Sequence, residues 1–324
     1  MESINEKWSN TINIVTIGAT PENGGSRGST VTIGGENTLP FLHFEGNIPH
    51  RPVLALDILD YNPDDWPEVL KNPYADVLGD PAAWAEKCEK EYEPDLICLR
   101  LQSLHPDWGD TTPEQAAETV AAVLKTTTIP LIIWGCDSPE KDNLALPLCA
   151  QAAAGENCLI GFATEDNYKT LTVACLADHH KIVAQSPIDI NIAKQVNILI
   201  SEMGYAPVDI VIDPNTGALG YGIEYTYSIM ERIRLAGLSG DKMMAMPMIC
   251  DVGADAWRAK EAKALRDDFP DWGSEEVRGP LWEAMTAVLL LQSGGDLVNL
   301  RHPEALKKVR EQIEVLMGSG GQKV

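Results

Sequence analysis

A (β/α)8 barrel carrying an N-terminal β-hairpin extension is the fold class this sequence predicts, and three observations predict it. Short apolar runs alternate with longer helical patterns eight times over about 270 residues, the size and rhythm of such a barrel. The run Asp209–Leu238 reads as a buried strand, a glycine-rich turn and a helix, the unit with which α/β proteins place ligands at the carboxyl end of a strand. The first fifty residues break this rhythm with two short β-rich runs around PENGGSRG, which read as a hairpin. A doubly wound sheet is the alternative, because strand order is invisible in a sequence.

In chain order, Thr11–Gly18 and Ser29–Gly35 form the hairpin, and Pro40–Pro49 leads into the main domain. Strands are expected at Val53–Asp57, Leu96–Leu101, Leu131–Trp134, Cys158–Gly161, Ile182–Gln185, Ile210–Asp213, Met244–Cys250 and Leu297–Leu300. Each is a short apolar run bounded by turn residues, as in strands covered on both faces. Helices are expected at Ala82–Tyr92, Pro113–Lys125, Leu144–Ala154, Tyr168–Asp178, Asp189–Met203 and Tyr225–Leu238. Two more fall within Ala254–Gln292, and a last one spans Glu304–Met317. The domain expectation is therefore a hairpin extension over 1–50, the barrel over 51–318 and a flexible tail over 319–324. The connections from Asp57 to Ala82 and from Asp251 to Leu281 are long, and long loops at the carboxyl face often carry function.

Within Asp209–Leu238, Asp213-Pro214 ends the strand, since proline cannot donate to a ladder. Gly217, Gly220 and Gly222 allow sharp turns or close approach to another surface. Ile223, Tyr227, Met230 and Ile233 share one helical face, leaving Glu231, Arg232 and Arg234 for another. A loop needing sharp turns for structural reasons alone gives the same pattern.

The 324-residue chain is 44% hydrophobic with a net charge of −23. That supports a sizeable core and repels nucleic acid and anionic membranes, so neither is an expected partner. The N-terminal MESINEKWSN has no apolar core of a signal peptide, and no run is long enough to cross a bilayer. Seven dispersed cysteines without a C-x-x-C fit reduced thiols in a cytoplasm and no iron–sulfur cluster in this chain.

In a barrel, residues just past each strand converge on one face. Here they are Asp57, Gln102, Gly135, Ala163, Ser186, Asp189, Asn191, Asp213, Asn215, Asp251, Arg301 and His302. The set is polar but mild, with Arg301 as its cation and His302 as its imidazole. It has no H-E-x-x-H, no evident pairing of a Ser or Cys with a base, and no G-x-G-x-x-G in the dinucleotide position, so neither a catalytic metal nor a catalytic nucleophile is expected. Arg301 suits an anionic or amide-bearing ligand, or a structural pair with Asp57 or Asp251. Asp178-His179-His180-Lys181-Ile182-Val183 superficially resembles the D-x-H-x-x-G motif of cobalt-ligating histidines, but its sixth position is Val183. A histidine capping the preceding helix is the expected role.

The segments LPFLHFEGNIPHRPVLALDI (39–58), AAAGEN (152–157), SPIDINIAKQVNILISEM (186–203), DPNTGALGYGIEYTYSIMERIRLAGL (213–238), Trp257-Arg258-Ala259-Lys260-Glu261 and RHPEAL (301–306) span nearly the whole chain. Through them it resembles the small subunit of the corrinoid iron–sulfur protein, whose archaeal counterpart is the delta subunit of the acetyl-CoA decarbonylase/synthase complex. The resemblance implies a barrel paired as a heterodimer with a large subunit that carries a [4Fe–4S] cluster and a cobalamin-binding domain, with cobalamin shared at the interface. It further implies methyl transfer from a methyltetrahydrofolate methyltransferase to CO dehydrogenase/acetyl-CoA synthase, in the reductive acetyl-CoA pathway. On that reading Ser186, Asp189, Asn191, Asp213, Asn215, Thr216, Gly217, Gly220 and Arg301 are the expected cofactor-binding residues, with no catalytic residue in this chain. The barrel is also similar to pterin-binding methyltransferases, for which Asp57, Asn191 and Asp213 would form part of a pterin-reading set. A purely structural dimerisation subunit is the third reading.

Overall fold

The computed structural model describes residues 5–318, so the expected tail over 319–324 lies outside the described residues. Eight parallel strands close into a barrel, and a separate antiparallel hairpin precedes it. The hairpin strands are β1 (Ile14–Ile17) and β2 (Val31–Gly34). The barrel strands are β3 (Val53–Leu59), β4 (Leu96–Arg100), β5 (Leu131–Trp134), β6 (Leu159–Ala163), β7 (Lys181–Gln185), β8 (Ile210–Asp213), β9 (Met248–Asp251) and β10 (Gly295–Leu300). They neighbour one another in chain order, and β10 pairs with β3 to close the ring.

The helices between β3 and β9 are α1 (Glu68–Lys71), α2 (Pro81–Lys87), α3 (Pro113–Thr126), α4 (Pro139–Ala152), α5 (Tyr168–Asp178), α6 (Ile190–Glu202) and α7 (Ile223–Leu238). After β9 come α8 (Val252–Ala256), α9 (Lys260–Lys263) and α10 (Glu275–Gln292), and α11 (Pro303–Gly318) follows β10. The stretch expected to hold two helices thus holds three. The helix expected over Ala82–Tyr92 is α2 followed by a π-helical turn, Cys88–Tyr92. Several starts are set by caps. Thr112 accepts from Gln115 N–H in a capping box ahead of α3, and Asp189 accepts from Asn191 and Ile192 N–H at α6.

Two apolar layers hold the fold together. Alternate strand residues such as Leu54, Leu56, Ile97, Leu99 and Ile212 pack outward against the helices. The opposite set, including Val53, Ala55, Leu96, Cys98, Ile132 and Val211, fills the barrel interior. Val15, Ile17, Val31 and Ile33 of the hairpin belong to that same inner cluster. Gly28 N–H donates to Thr128 O, Gly18 N–H to Asn157 O and Asn13 N–H to Ala245 O. All three acceptors precede barrel strands, so the hairpin closes the amino-terminal end of the barrel. Each of its buried Val and Ile side chains contributes about 1.5–3 kcal/mol of burial.

Arg234 departs from the expected surface face of its helix. It is buried, ion-paired with Glu36 and, at 2.7 Å, with Asp296 Oδ2. This guanidinium ties the segment after the hairpin to the base of β10. His179 closes α5 in a left-handed conformation with its backbone. His180 is buried, with Nδ1 accepting from Cys158 N–H and Nε2 bonded to Ala150 O. Burial lowers its pKa, so it brings no positive charge to the helix end. Both histidines lie at the amino-terminal end of β7, away from the carboxyl face.

Candidate functional site at the barrel mouth

The period-two alternation that fills the barrel interior continues to its carboxyl end, where the side chains turn polar. Val53, Ala55 and then Asp57 point inward along β3, as do Leu96, Cys98 and Arg100 along β4. The same register brings up Trp134, Gln185, Asp213, Asp251 and Asn299. The top layer of the barrel is thus an ion-pair network on an apolar stack.

Arg100 organises that layer. Its Nε lies 2.6 Å from Asp57 Oδ2 and its other arm reaches Asp251 Oδ1. Asn299 Nδ2 donates to Asp57 Oδ1 at 2.5 Å and to Asp251 Oδ1 at 3.1 Å. Arg301 Nε completes the set, 3.1 Å from Asp57 Oδ2. Burial pushes the Asp57 carboxyl up, but the Arg100 and Arg301 charges outweigh it and hold its pKa below the usual value. The guanidinium of Arg100 sits 5.4 Å from the Trp134 ring centre, and that of Arg301 4.9 Å from Trp66.

Above this floor lies a cavity of about 380 Å³. Neutral polar groups of Gln102, Gln185 and Asn215 face it, with the aromatic rings of Trp108, Trp134 and Phe162. Arg100, Arg258, Arg301, Asp137, Asp251 and Asp255 add charges of both signs. Side cavities of about 240 and 300 Å³ share walls with it at Trp108 and Arg301 on one side and at Phe162, Gln185 and Asn215 on the other. Asp213, beside Gln185 on the next strand, accepts from Gln185 Nε2 at 2.8 Å and from Asn215 N–H at 2.9 Å. Burial pushes its pKa up to about 7.

The expected site residues divide clearly. Gln102, Gly135, Asn215, Asp251 and Arg301 line the mouth, and Ser186 lines a side cavity. Asp57 and Asp213 are buried in the floor, and Ala163 is buried at the end of β6. Asp189 is occupied as the cap of α6, and Asn191 is exposed on its first turn. Asp57, Asn191 and Asp213 therefore do not converge on one open edge. Thr216 is buried with its hydroxyl unpartnered among the described residues. Gly217 is locked within its own loop: its N–H donates to Thr226 Oγ1 at 2.8 Å, and a Cβ there would stand 2.7 Å from the Gly222 carbonyl. Gly220 is exposed at the loop tip, with φ +76°.

His302 is not the mouth's imidazole. Its ring is buried, stacked at 6.0 Å on Trp257, and Nδ1 accepts from Glu304 N–H. Burial pushes its pKa down to about 4. Nor is Arg301 the mouth's single cation, since Arg100 and Arg258 join it. Arg100 was readable in principle: an arginine in an apolar run, on the inward register, requires a buried partner.

Fold and site together define a (β/α)8 barrel with an open, polar mouth over an ion-paired floor and a plugged base. The sequence profile of the CO dehydrogenase/acetyl-CoA synthase delta subunit family matches residues 15–307, and the chain belongs to that family. Among curated relatives, the acetyl-CoA decarbonylase/synthase complex subunit delta of Archaeoglobus fulgidus is 37% identical over 328 residues, covering 99% of this chain and 72% of the relative. That of Methanocaldococcus jannaschii is 36% identical over 318 residues, covering 98% and 77%. Among solved structures, Xanthomonas albilineans dihydropteroate synthase with 4-aminobenzoic acid aligns with a TM-score of 0.58 at 15% identity, over 86% of this chain and 96% of the other. Coxiella burnetii dihydropteroate synthase with pteroic acid gives 0.56 at 12% identity, over 87% and 99%. At such identities the likeness is one of fold. No helix among the described residues is long and apolar enough to cross a membrane.

Proposed function

We propose that this chain is the barrel subunit of a cytoplasmic heterodimeric corrinoid methyl carrier, and that its mouth covers a cobalamin held by a larger, [4Fe–4S]-bearing partner. The observation that carries this reading is the charge arrangement of the mouth. The buried ions of the floor satisfy one another, leaving the amides of Gln102, Gln185 and Asn215 and the faces of Trp108, Trp134 and Phe162 toward the opening. A large, amide-fringed ring suits such a surface, lying across the rim instead of entering the cavity.

The corrinoid, when bound, supplies the cobalt that carries the methyl group. This chain's residues would shield and orient it. Asn215 and Gln185 offer amides to the ring's amide arms, and Arg301, held by Asp57 and Trp66, offers remaining N–H groups at a fixed position. A rigid cover excludes water and limits which partners reach the metal. Those partners would be the methyltetrahydrofolate methyltransferase and CO dehydrogenase/acetyl-CoA synthase, so the cover must also open. The hairpin extension, from residue 5 to residue 50, would act as a separate plug of the barrel base, outside this chemistry.

The test is anaerobic purification of the chain with and without the large subunit, with visible spectra and a methyltetrahydrofolate titration. Cobalamin absorbance only in the complex, altered by Asn215→Ala or Arg301→Ala, with no folate binding by this chain alone, is the expected result. Saturable folate binding by the isolated chain would replace this reading with a pterin-binding methyltransferase. Spectra indifferent to this subunit would leave a structural dimerisation role.

A further inference from the structure

We propose that the groove between α4 and α5, on the flank of the barrel, docks one amphipathic helix of a partner protein, lying antiparallel to both. The groove measures about 660 Å³. Pro147 and Leu148 of α4 form one wall and Val173 and Ala177 of α5 the other, with Lys169 toward one end and Asp178 at the other. It shares no wall residue with the mouth or its side cavities.

Along this groove neither helix has an ordinary solvent face. α4 carries no charged residue from Leu144 to its end at Ala152, and α5 none from Thr170 to Ala177. A surface helix sets charged residues opposite its buried stripe, and one that is apolar on both sides is a covered helix. Here the outward positions are apolar and bare: Leu144 is 60% exposed and Val173 57%. In a chain of net charge −23, two adjacent helices without outward charge lack their outer layer.

The second observation gives the direction of the missing helix. α5 carries its terminal charges against its own dipole: Lys169 lies in its first turn and Asp178 is its last residue, each the unfavourable sign for that end. Lys169 Nζ lies 5.8 Å from the Tyr168 ring centre, and neither charge is ion-paired with a described residue. A helix laid antiparallel along the groove matches both. Its amino terminus, partially positive, meets Asp178, and its carboxyl terminus, partially negative, meets Lys169. The segment from Lys169 to Asp178 rises about 15 Å, so the contact runs for nearly three turns, with anchors at i, i+3 or i+4, and i+7. A two-fold pair of copies would set groove against groove and fill neither, and the charge on each copy opposes their approach.

The experiment is fluorescence anisotropy of a labelled, hydrocarbon-stapled helix of about four turns, titrated with the full chain. The peptide has leucines at i, i+4, i+7 and i+11, Lys in its first turn and Glu in its last. Saturable binding is expected, weakened about tenfold by Val173→Glu/Ala177→Glu, which puts charge on two exposed wall positions. Lys169→Glu should weaken it about threefold and yet raise the urea midpoint of the free chain, because the change suits the dipole of α5. A purely structural role for Lys169 does not give those opposite signs. A scrambled peptide, stapled alike, should bind at least about tenfold more weakly. Binding is read on this chain alone, so its failure is distinct from a failure of the corrinoid reading, which shows in cobalamin absorbance. A dimer of the chain in sedimentation equilibrium that the double variant dissociates would assign the groove to a second copy. Flotation with phosphatidylcholine vesicles that the double variant abolishes would assign it to lipid. Either result overturns the proposal, as does unsaturable peptide binding or a double variant that binds like the wild type.

Discussion

Arg100 Nε donates to Asp57 Oδ2 across 2.6 Å, joining the ends of two adjacent barrel strands in a buried ion pair. The pair decides what the mouth is. Asp57 accepts from Arg100, Arg301 and Asn299, so both oxygens are occupied and neither is left to read a ligand. Removing one partner strands a charge in an apolar shell. Arg100→Leu should therefore cost about 3–5 kcal/mol, measured as the urea unfolding free energy, because Asp251 loses its guanidinium and Asp57 keeps only that of Arg301. The triple replacement Arg100→Leu/Asp57→Leu/Asp251→Leu should cost less than the single one. A loss below about 1 kcal/mol in Arg100→Leu would mean that the network is solvated and the mouth open to its floor.

Stability should rise as pH falls from 8 toward 5. Burial raises the carboxyls of Asp213 and Glu283 to about 7, and those of Asp60 and Asp255 to about 6. A folded-state pKa above the unfolded value favours the protonated group in the fold. That contribution is complete below about pH 4 and is lost as pH rises through 6 to 7. Three groups run the other way: the lowered pKa values of His180 and His302 give stability above about pH 6.5 that is lost as pH falls, partly offsetting the carboxyls, and that of Asp57 gives stability above about pH 4 that is lost on further acidification. Asp213→Asn keeps the size of the side chain and removes its titration. It should flatten the slope between pH 5 and 8, and at pH 8, with the Gln185 amide turned to accept from the new Nδ2, the variant should be the more stable by about 1–3 kcal/mol. Denaturant midpoints across that range test it, and an unchanged slope would place the titration elsewhere.

The barrel was legible because its strands are apolar runs covered on both faces, and several fell within a residue of the expected bounds. Where the elements depart from the sequence pattern, a local cause is visible. Met244–Ala245–Met246 is buried and apolar, but Pro247 lacks an N–H and Ala245 O already accepts from Asn13 N–H, so β9 begins at Met248. The polar start of α4 reads as loop, yet Pro139 occupies its first turn and Asp142 turns inward to accept from Cys136 N–H. The mouth was legible as a set of strand ends but not as a network. Arg100 lies inside an apolar run that hides its role, and the ring of His302, just past the end of β10, turns away from the mouth to stack on Trp257. Which of two successive residues faces inward depends on where each strand enters its register. That is fixed by pairing between distant segments.

Glu283 should prove necessary for the position of Arg301. This buried carboxyl on α10 accepts from Arg301 N–H at 2.5 Å, His302 N–H at 3.1 Å and Trp257 Nε1 at 2.9 Å. Three donors converge on two oxygens, so the chain just past β10 is bound to α10 and to the tryptophan after α8. Glu283→Gln replaces one acceptor by a donor that faces an N–H. A cost of about 2–3 kcal/mol in unfolding free energy is expected, with a changed Trp257 signal in near-ultraviolet circular dichroism. If stability falls while that signal stays, the carboxyl holds the backbone but not the indole.

The glycine loop after β8 offers a contrast between two substitutions of the same chemistry. At Gly217 an added methyl would stand 2.7 Å from the carbonyl carbon and oxygen of Gly222, backbone atoms that cannot yield without opening the loop. At Gly220 the nearest atom is in the Trp282 ring at 3.6 Å, an ordinary contact, and the penalty is that of a left-handed backbone at φ +76°. The second cost is about 1–2 kcal/mol, and the first should reach roughly 2–4 kcal/mol, because the turn is closed on Thr226 Oγ1 and Leu219 N–H bonds Thr286 Oγ1. Gly217→Ala should also loosen cobalamin in the assembled complex, since Asn215 at the mouth shares that turn, while Gly220→Ala should leave retention nearly unchanged. Paired urea denaturation and gel-filtration retention of cobalamin measure both quantities. A reversed order would locate the contact surface at the loop tip, with the mouth's geometry indifferent to the turn beneath it.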